Sequence, residues 1–389
     1  MKKKIAILGS TGSVGRQTLD VIRSDKKNFK ILLLTANKNH RLLSKQIKEF
    51  KVKNVIITNN KSYLIIKKKF KKINVFNNLE KIDNIIKSKL DYTMSSISGF
   101  DGLRPTIKII KQTKTIAIAN KESIICGWNL IKKQIDKHNT KFIPVDSEHF
   151  SIWSVIKNTN PKIIEEVILT ASGGPFLNIN NKNIKKTPKL ATNHPNWKMG
   201  KKISTDSATL MNKVFEVIEA KKIFNIDLNK FNILIHPKSY IHAIIKFKNG
   251  LIKLVAHDTD MRIPIFNSIY CDDYNHFKSG KVNINLLNNL NLRKVDTKKY
   301  PLINILKIVP KKDTLFETLL VSINDELVSL FLNNKIGFDD ISIKLKQIIN
   351  NKLFTKYRHK KLQNLTQIEK LNEFVRLKTK SLSVISNPR

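Results

Sequence analysis

Acidic residues are scarce in this chain, 30 against 72 lysines and arginines, so acids that fall close together stand out. Asp146 and Glu148 lie two residues apart in Pro144-Val145-Asp146-Ser147-Glu148-His149. On an extended segment that spacing puts both carboxylates on one face. Two such carboxylates suit a hard cation, Mg2+ or Mn2+. A loop aspartate followed by a helix-capping glutamate satisfies the same spacing. A third acid, Glu216, lies in the run from 206 to 219, where Leu210, Val214, Val217 and Ile218 form a helical apolar stripe. Asn212, Lys213, Glu216 and Glu219 share another face at i, i+3 and i+4 spacings. Asn212 and Lys213 could hold a phosphate there, and Glu216 could complete a metal site begun by Asp146 and Glu148. A plain amphipathic helix with a Lys–Glu pair gives the same pattern.

A second kind of chemistry is written near the start. Gly9-Ser10-Thr11-Gly12-Ser13-Val14-Gly15 follows the apolar run 4–8 and opens a helical pattern. Open backbone N–H groups and the helix dipole favour a pyrophosphate at such a place. The spacing is G-x-x-G-x-x-G rather than the commoner G-x-G-x-x-G, so placement carries more weight than the motif; an ordinary tight turn remains the alternative. After the next apolar run comes Asn37-Lys38-Asn39-His40-Arg41. An NAD site usually has an acid there for the ribose 2′-hydroxyl. Two permanent cations and no acid favour the 2′-phosphate of NADPH, unless Lys38 is merely one of many lysines. His194-Pro195-Asn196-Trp197-Lys198-Met199-Gly200-Lys201-Lys202 mixes proline, glycine, an aromatic and cations, and reads as a loop able to cover a ligand. The small residues of Ala171-Ser172-Gly173-Gly174-Pro175 allow close backbone approach to an anion. Each of these two segments is equally compatible with a surface turn.

The elements that must position these residues follow from periodicity. Apolar runs at 4–9, 31–36, 55–58, 92–96 and 115–119, with helical stretches between them, predict parallel strands of a doubly wound, Rossmann-like α/β domain over residues 1–147. Strand-like runs at 167–170, 232–235, 243–247 and 251–255, with Asn249-Gly250 as a hairpin turn, predict an α+β catalytic and dimerisation domain with a mixed sheet over 148–270. Residues 271–300 are polar and read as a linker. Helical spacing over 301–389 predicts a C-terminal helical domain. The apolar run after Met1 is too short for a signal peptide, and no stretch approaches the roughly 20 apolar residues of a membrane span. Two cysteines, Cys126 and Cys271, make no disulfide framework, so a reducing cytoplasm is expected. The net charge of +42 suits a nucleic-acid binder. However, arginine is scarce and the lysines are spread along the whole chain, so solvated lysine faces and no specific nucleic-acid partner are expected.

Taken in order, the motifs resemble 1-deoxy-D-xylulose 5-phosphate reductoisomerases, enzymes of non-mevalonate isoprenoid biosynthesis. The matching segments are the glycine turn, Ala119-Asn120-Lys121-Glu122-Ser123, residues 144–149, Ser172-Gly173-Gly174-Pro175-Phe176, residues 194–200, residues 206–216 and His236-Pro237-Lys238-Ser239. The resemblance implies an NADPH-dependent oxidoreductase acting on a CH–OH group. It would rearrange 1-deoxy-D-xylulose 5-phosphate to a branched aldehyde phosphate and reduce that to 2-C-methyl-D-erythritol 4-phosphate. It implies a divalent metal on Asp146, Glu148 and Glu216. It implies Ser172, Ser207, Asn212 and Lys213 on the phosphate, Lys121 and Ser147 at the reacting end, and His194 and Trp197 closing over the substrate. Lys121 and the three acids would be the catalytic groups. Thr11, Gly12, Ser13, Val14, Asn37, Lys38, Asn39, Asn120, Glu122 and Gly200 fall where the family contacts NADPH, and the family suggests a homodimer.

The chain departs from the family pattern at Asn37, where glycine is usual and where asparagine best tolerates a left-handed backbone. It departs again at His257-Asp258-Thr259, before Asp260-Met261-Arg262, and at Ser322-Ile323-Asn324-Asp325. These changes bear on local packing and the dimer interface more than on the chemistry. A semialdehyde-type dehydrogenase would need an activated nucleophilic cysteine, and Cys126 follows two isoleucines with no activating pattern. A nucleic-acid-binding protein would find acids 146, 148 and 216 repelling phosphate.

Overall fold

The computed structural model describes residues 2–179, 184–271 and 277–384. The chain falls into two compact units, Met1–Trp153 with Asp260–Ser279, and Ser154–Thr259 with Gly280–Arg389.

The first unit is built on seven strands: β1 (Lys3–Leu8), β2 (Phe29–Ala36), β3 (Asn54–Ile57), β4 (Asn74–Phe76), β5 (Leu90–Ser95), β6 (Thr113–Ile118) and β7 (Lys141–Pro144). All pair in parallel, in the order β4-β3-β2-β1-β5-β6-β7. Helices α1 (Ser13–Arg23), α2 (His40–Phe50), α3 (Asn60–Lys69), α4 (Ile82–Ile85), α5 (Leu103–Ile110) and α6 (Lys121–His138) alternate with them, and α7 (Ser147–Ile156) follows β7. The apolar runs form strands because they are buried on both faces, Ile5 to Leu8 completely. This is the expected doubly wound fold. Its two unforeseen strands, β4 and β7, are short and lie at the sheet edges. The strand order reverses at β1, which is bordered by β2 and β5, so the loops at its carboxyl end part to leave a crevice.

The helix Arg262–Tyr270 packs into this first core. Ile265, Ile269 and Tyr270 join Ile5, Ile7 and Leu19 there. Tyr92 and Ser268 share a hydroxyl–hydroxyl hydrogen bond of 2.7 Å, and the Tyr270 hydroxyl donates to Asp25 at 2.9 Å. The boundary expected at residue 270 thus falls inside a segment that returns to the first unit. Nothing in its local pattern distinguishes the sheet it will join.

The second unit holds β8 (Ile164–Ala171), β9 (Phe231–Ile235), β10 (Ile241–Phe247), β11 (Ile252–Ala256) and β12 (Arg293–Lys294) in the order β11-β10-β8-β9-β12. Only the β8–β9 pair is parallel. The Asn249-Gly250 turn joins β10 to β11 as expected, with Gly250 at φ +85°. β12 comes from the segment read as a linker, whose residues 272–276 lie outside the described residues. Helices α8 (Pro188–Ala191), α9 (Lys201–Ala208) and α10 (Met211–Phe224) lie between β8 and β9 in sequence. After α11, the helix Arg262–Tyr270 already met, come α12 (Ile284–Asn288), α13 (Phe316–Leu332), α14 (Phe338–Ile349), α15 (Lys352–Thr355) and α16 (Leu365–Val384). The expected C-terminal helices are therefore present.

Among the described residues, left-handed residues end several helices, including Lys51 after α2, Asn139 after α6 and Asn225 after α10. Asparagine suits that conformation and lysine does not. Lys51 is exposed, so its side chain has little packing to lose. Lys51→Gly is expected to stabilise the protein by about 0.5–1 kcal/mol, read as a higher midpoint in urea unfolding.

Candidate active site

The glycine turn sits at the carboxyl end of β1. Gly9 has φ +85°, and a Cβ there would lie 2.7 Å from the Ser96 carbonyl oxygen. A Cβ on Gly15 would meet the Gly9 carbonyl at 2.3 Å, so glycine lets α1 start hard against the turn. Gly12 caps α1 with no side-chain acceptor. The first N–H groups of the helix therefore point outward unsatisfied by a cap, as a pyrophosphate requires. Thr35 fixes the turn from β2: its hydroxyl accepts from the Gly9 N–H at 2.8 Å and its carbonyl from the Ser10 N–H at 2.8 Å.

Asn37, Lys38 and Asn39 are exposed at the carboxyl end of β2, followed by exposed Arg41. Asn37 is not among the residues with positive φ. The left-handed backbone invoked for it is not needed, and asparagine replaces glycine there without strain. Asn39 caps α2, its Oδ1 accepting from the Leu42 N–H at 3.0 Å, so its amide nitrogen is the end left to face a ligand. Asn120 caps α6 by accepting from the Ser123 N–H at 2.6 Å, while its amide donates to the carbonyls of Gly99 and Ile97. Its side-chain hydrogens are both engaged.

The same cap places Lys121 at the first turn of α6. Its Nζ lies 2.8 Å from Asp146 Oδ2, with side chains only 8% and 18% exposed. Coulomb attraction is much stronger at that depth than at an open surface. Asp146 itself starts α7: its Oδ1 accepts from the Ser147 N–H at 3.0 Å and its carbonyl from the Phe150 N–H at 2.8 Å. The Ser147 hydroxyl donates to Glu148 Oε2 at 2.6 Å. Asp146 and Glu148 each bring a carboxylate oxygen within 4.8 Å of the other. Asp146 stands at the start of α7 with one oxygen on the Ser147 N–H and the other turned to Lys121, while Glu148, which the sequence also allowed as a helix cap, accepts from the Ser147 hydroxyl. The adjacent His149 is fully buried, with Nδ1 3.9 Å from Asp146 Oδ2. Its place in the motif was visible in the sequence, but nothing there marked it as part of the cluster.

In the second unit two other segments converge on the His194 loop. Its Nε2 lies 2.9 Å from Ser172 Oγ and 3.1 Å from Ser207 Oγ. Ser172 follows β8, and Gly174 lets that loop touch α9, since a Cβ on it would lie 2.8 Å from the Ser207 carbonyl. The backbone N–H groups of Asn196 and Trp197 donate to His194 Nδ1 at 3.2 and 3.0 Å. Backbone N–H groups can only donate, so Nδ1 is an acceptor and the imidazole proton sits on Nε2. Burial pushes the His194 imidazole down from 6.5 to about 4. It is therefore a neutral, directional donor aimed between two serine hydroxyls. The loop from His194 to Gly200 is held by Asn196, whose amide donates to the Pro237 carbonyl at 2.6 Å and to Ser239 Oγ at 2.8 Å. Half-buried Trp197 lies edge-on to the His242 ring at 6.0 Å.

Between α9 and α10 the chain turns on Leu210, at φ +58°. That conformation costs about 1–2 kcal/mol for a non-glycine residue. Leu210 is 2% exposed against Ala171, Ile235 and Tyr300, and burying it is worth about 1.5–3 kcal/mol, so burial wins. α10 is not the amphipathic surface helix its pattern allows. Lys213, Glu216 and Glu219 are buried along with its apolar residues. Lys213 forms an ion pair with Glu216, and Asn212 donates to the same carboxylate. A polar helix face can be buried only when its groups satisfy one another or a ligand. α9 is anchored from the C-terminal helices. Lys202 Nζ reaches Asp206 at 2.9 Å and Asp325 at 3.0 Å, and the Asn324 amide donates to Asp206 at 2.8 Å. The departure at 322–325 thus holds the helix that carries Ser207.

Three family models match the chain in succession: 1-deoxy-D-xylulose 5-phosphate reductoisomerase over residues 5–127, its C-terminal domain over 142–224, and a DXP reductoisomerase C-terminal domain over 257–378. The 1-deoxy-D-xylulose 5-phosphate reductoisomerase of Pelagibacter ubique is 57% identical over 387 residues, 98% of this chain and 100% of that protein. The one of Caldanaerobacter subterraneus is 38% identical, over 94% of each chain. Among solved structures, the Zymomonas mobilis enzyme in complex with NADPH matches with a TM-score of 0.88 at 29% identity, covering 98% of this chain and 99% of its own. A DOX-P reductoisomerase in complex with NADPH, fosmidomycin and magnesium matches with a TM-score of 0.91 at 28% identity, covering 98% of each.

His194 generates a pH prediction. Its value in the fold, about 4, lies below the ordinary 6.5, so protonation opposes the folded state. Its contribution to stability is complete above about 6.5 and is lost as pH falls towards about 4. The His194 ring proton shifts, followed by NMR, are expected to stay flat from about pH 8 to about pH 5.5. A midpoint near 6.5 would show that the ring is solvated.

Proposed function

Because the chain belongs to the 1-deoxy-D-xylulose 5-phosphate reductoisomerase family, we propose a division of labour among these residues. The reaction is the metal-dependent rearrangement and NADPH reduction of 1-deoxy-D-xylulose 5-phosphate to 2-C-methyl-D-erythritol 4-phosphate, in non-mevalonate isoprenoid biosynthesis. The observation that carries the assignment is the convergence of Ser172, His194 and Ser207 on one point, from three segments, as neutral hydrogen-bonding groups.

We assign the substrate phosphate to those three side chains together with Asn212 and Lys213. The metal falls to Asp146, Glu148 and Glu216. They offer only carboxylate oxygens, the hard ligands that Mg2+ and Mn2+ prefer. When bound, the ion supplies Lewis acidity to the substrate's oxygens. Lys121 orients Asp146 and presents an ammonium to the reacting end of the substrate, and Ser147 orients Glu148. Trp197 covers the substrate and excludes water, which strengthens every polar contact beneath it. Thr11, Gly12, Ser13 and Val14 take the pyrophosphate of NADPH. Asn37, Lys38 and Asn39 take its 2′-phosphate end, and Asn120, Glu122 and Gly200 complete the coenzyme site. The contact from Asn120 is through its backbone.

A homodimer fits the edge strand β11, where Ile252 and Leu254 are about half exposed, with Leu251 exposed just before it. An uncovered apolar edge is a pairing surface. Cys126 and Cys271 form no disulfide with each other, which suits the reducing cytoplasm we propose for the chain. Among the described residues no helix is long and apolar enough to cross a membrane. The arrangement of acids and neutral donors favours a small phosphorylated substrate over a nucleic acid.

The direct test is loss of NADPH absorbance on adding 1-deoxy-D-xylulose 5-phosphate, with and without Mg2+. Absence of turnover, or turnover indifferent to a chelator, would overturn the reading. At least a tenfold preference for NADPH over NADH in kcat/KM is expected, because a phosphate contact contributes about 1.5–3 kcal/mol. Glu216→Gln is expected to lower kcat by at least about 100-fold while NADPH affinity stays within about twofold. Wild-type turnover in that variant removes Glu216 from the metal site.

A further inference from the structure

The β10–β11 hairpin carries a feature that the reaction has not absorbed. The ladder between the two strands shifts register between Ile241 and Ala243, so His242 sits at an irregularity. Such a bulge re-aims its side chain. The His242 ring, 2% exposed, stacks on the His257 ring with centroids 3.7 Å apart and planes 16° from parallel. His257 follows β11 and continues the hairpin, its N–H donating to the Tyr240 carbonyl at 3.0 Å. Its Nδ1 is 2.8 Å from the Asp258 carbonyl, and His242 Nε2 is 3.1 Å from the His257 carbonyl. Carbonyls only accept, so each of those nitrogens carries a hydrogen. One ring edge of His242 is thus pinned by a hydrogen bond and one ring face by a stacked plate. On this fixed ring Trp197 rests edge-on, at 6.0 Å and 69°.

We propose that His257 is a positioning residue for the reaction. It acts through His242 to set where the Trp197 ring lies over the substrate. His257 supplies the plate that holds the His242 ring in plane. Without that plate His242 keeps its hydrogen bond but gains freedom to tilt, and the seat of Trp197 moves with it. The effect belongs to the ring of His257, because its backbone already satisfies the hairpin. The inference rests on Trp197 being the lid.

The test uses the whole enzyme with 5-fluorotryptophan in place of its three tryptophans, Trp128, Trp153 and Trp197, their 19F resonances assigned by replacement with phenylalanine. Trp128 and Trp153 pack on Phe142 and Phe150 and serve as internal controls. In the ligand-free enzyme, His257→Ala is expected to shift or broaden the Trp197 resonance and leave the other two in place. KM for the sugar phosphate should rise about two- to tenfold, the range of one aromatic contact, with kcat within about twofold. His257→Phe, which restores a plate but not an imidazole, should restore both. The proposal falls if His257→Ala leaves the Trp197 resonance and KM at wild-type values. It falls equally if all three resonances move together, or if His257→Phe restores nothing. Failure of the lid reading is separate: there, adding substrate and Mg2+ to the wild-type enzyme would leave the Trp197 resonance unmoved.

Discussion

The structure depends on keeping lysines out of water only where a carboxylate waits for them. Removing an ammonium from water costs several kcal/mol unless a partner of opposite charge is well placed. In a chain with 72 basic and 30 acidic residues, most lysines must stay solvated, and four that are withdrawn from water around the site stand beside acids. Lys121 meets Asp146, Lys213 meets Glu216, and Lys202 meets Asp206 and Asp325. Lys222 meets Asp313 at 2.6 Å and Glu317 at 3.1 Å. Burial alone would lower the Lys222 ammonium, but Glu317 and Asp313 outweigh it and raise it. That last pair joins α10 to α13 and holds the helix that carries Asn212, Lys213 and Glu216. A small subset of the scarce acids, Asp146, Glu216, Asp206 and Glu317 among them, therefore stands at the helix starts and buried helix faces that build the site.

The first unit was legible because its signals are local. A parallel strand buried on both faces is a run of apolar residues, and the turn after β1 needs glycine at contacts as short as 2.3 Å. The β10–β11 hairpin was legible for the same reason, since Asn249-Gly250 encodes its turn. What escaped is non-local. Arg262–Tyr270 lies in sequence beside the strands of the second sheet, and only long-range contacts such as Tyr92 with Ser268 assign it to the first core. β12 is two residues long and exists only because β9 offers an edge.

The site shows the same division. Asp146, Glu148 and Glu216 could be singled out because acids are rare, but their state could not. That Asp146 both starts α7 and faces Lys121 depends on where α6 starts, which Asn120 decides. The periodicity of α10 was correct, yet it could not say that both faces are buried. For a helix the pattern reports which residues share a side, not what lies against that side. His194 could be placed in a loop from sequence, whereas its tautomer follows from two backbone N–H groups of that loop.

The contrast between the chain's charge and the groups proposed to bind the phosphate bears on selectivity. A net charge of +42 draws any anion towards the protein and speeds its encounter, but it does so without regard to shape and is screened over about 8–10 Å in physiological salt. Discrimination must then come from groups that salt does not screen and that demand a geometry. Ser172, Ser207 and His194 are such groups. They are neutral, they come from three segments, and they are fixed by a glycine approach, a buried helix anchor and two backbone hydrogen bonds. The one cation among the proposed phosphate ligands, Lys213, is already partly balanced by Glu216. On the proposed assignment, the surface lysines raise the local concentration of every phosphate, and the neutral donors decide which phosphate can sit with all its oxygens satisfied.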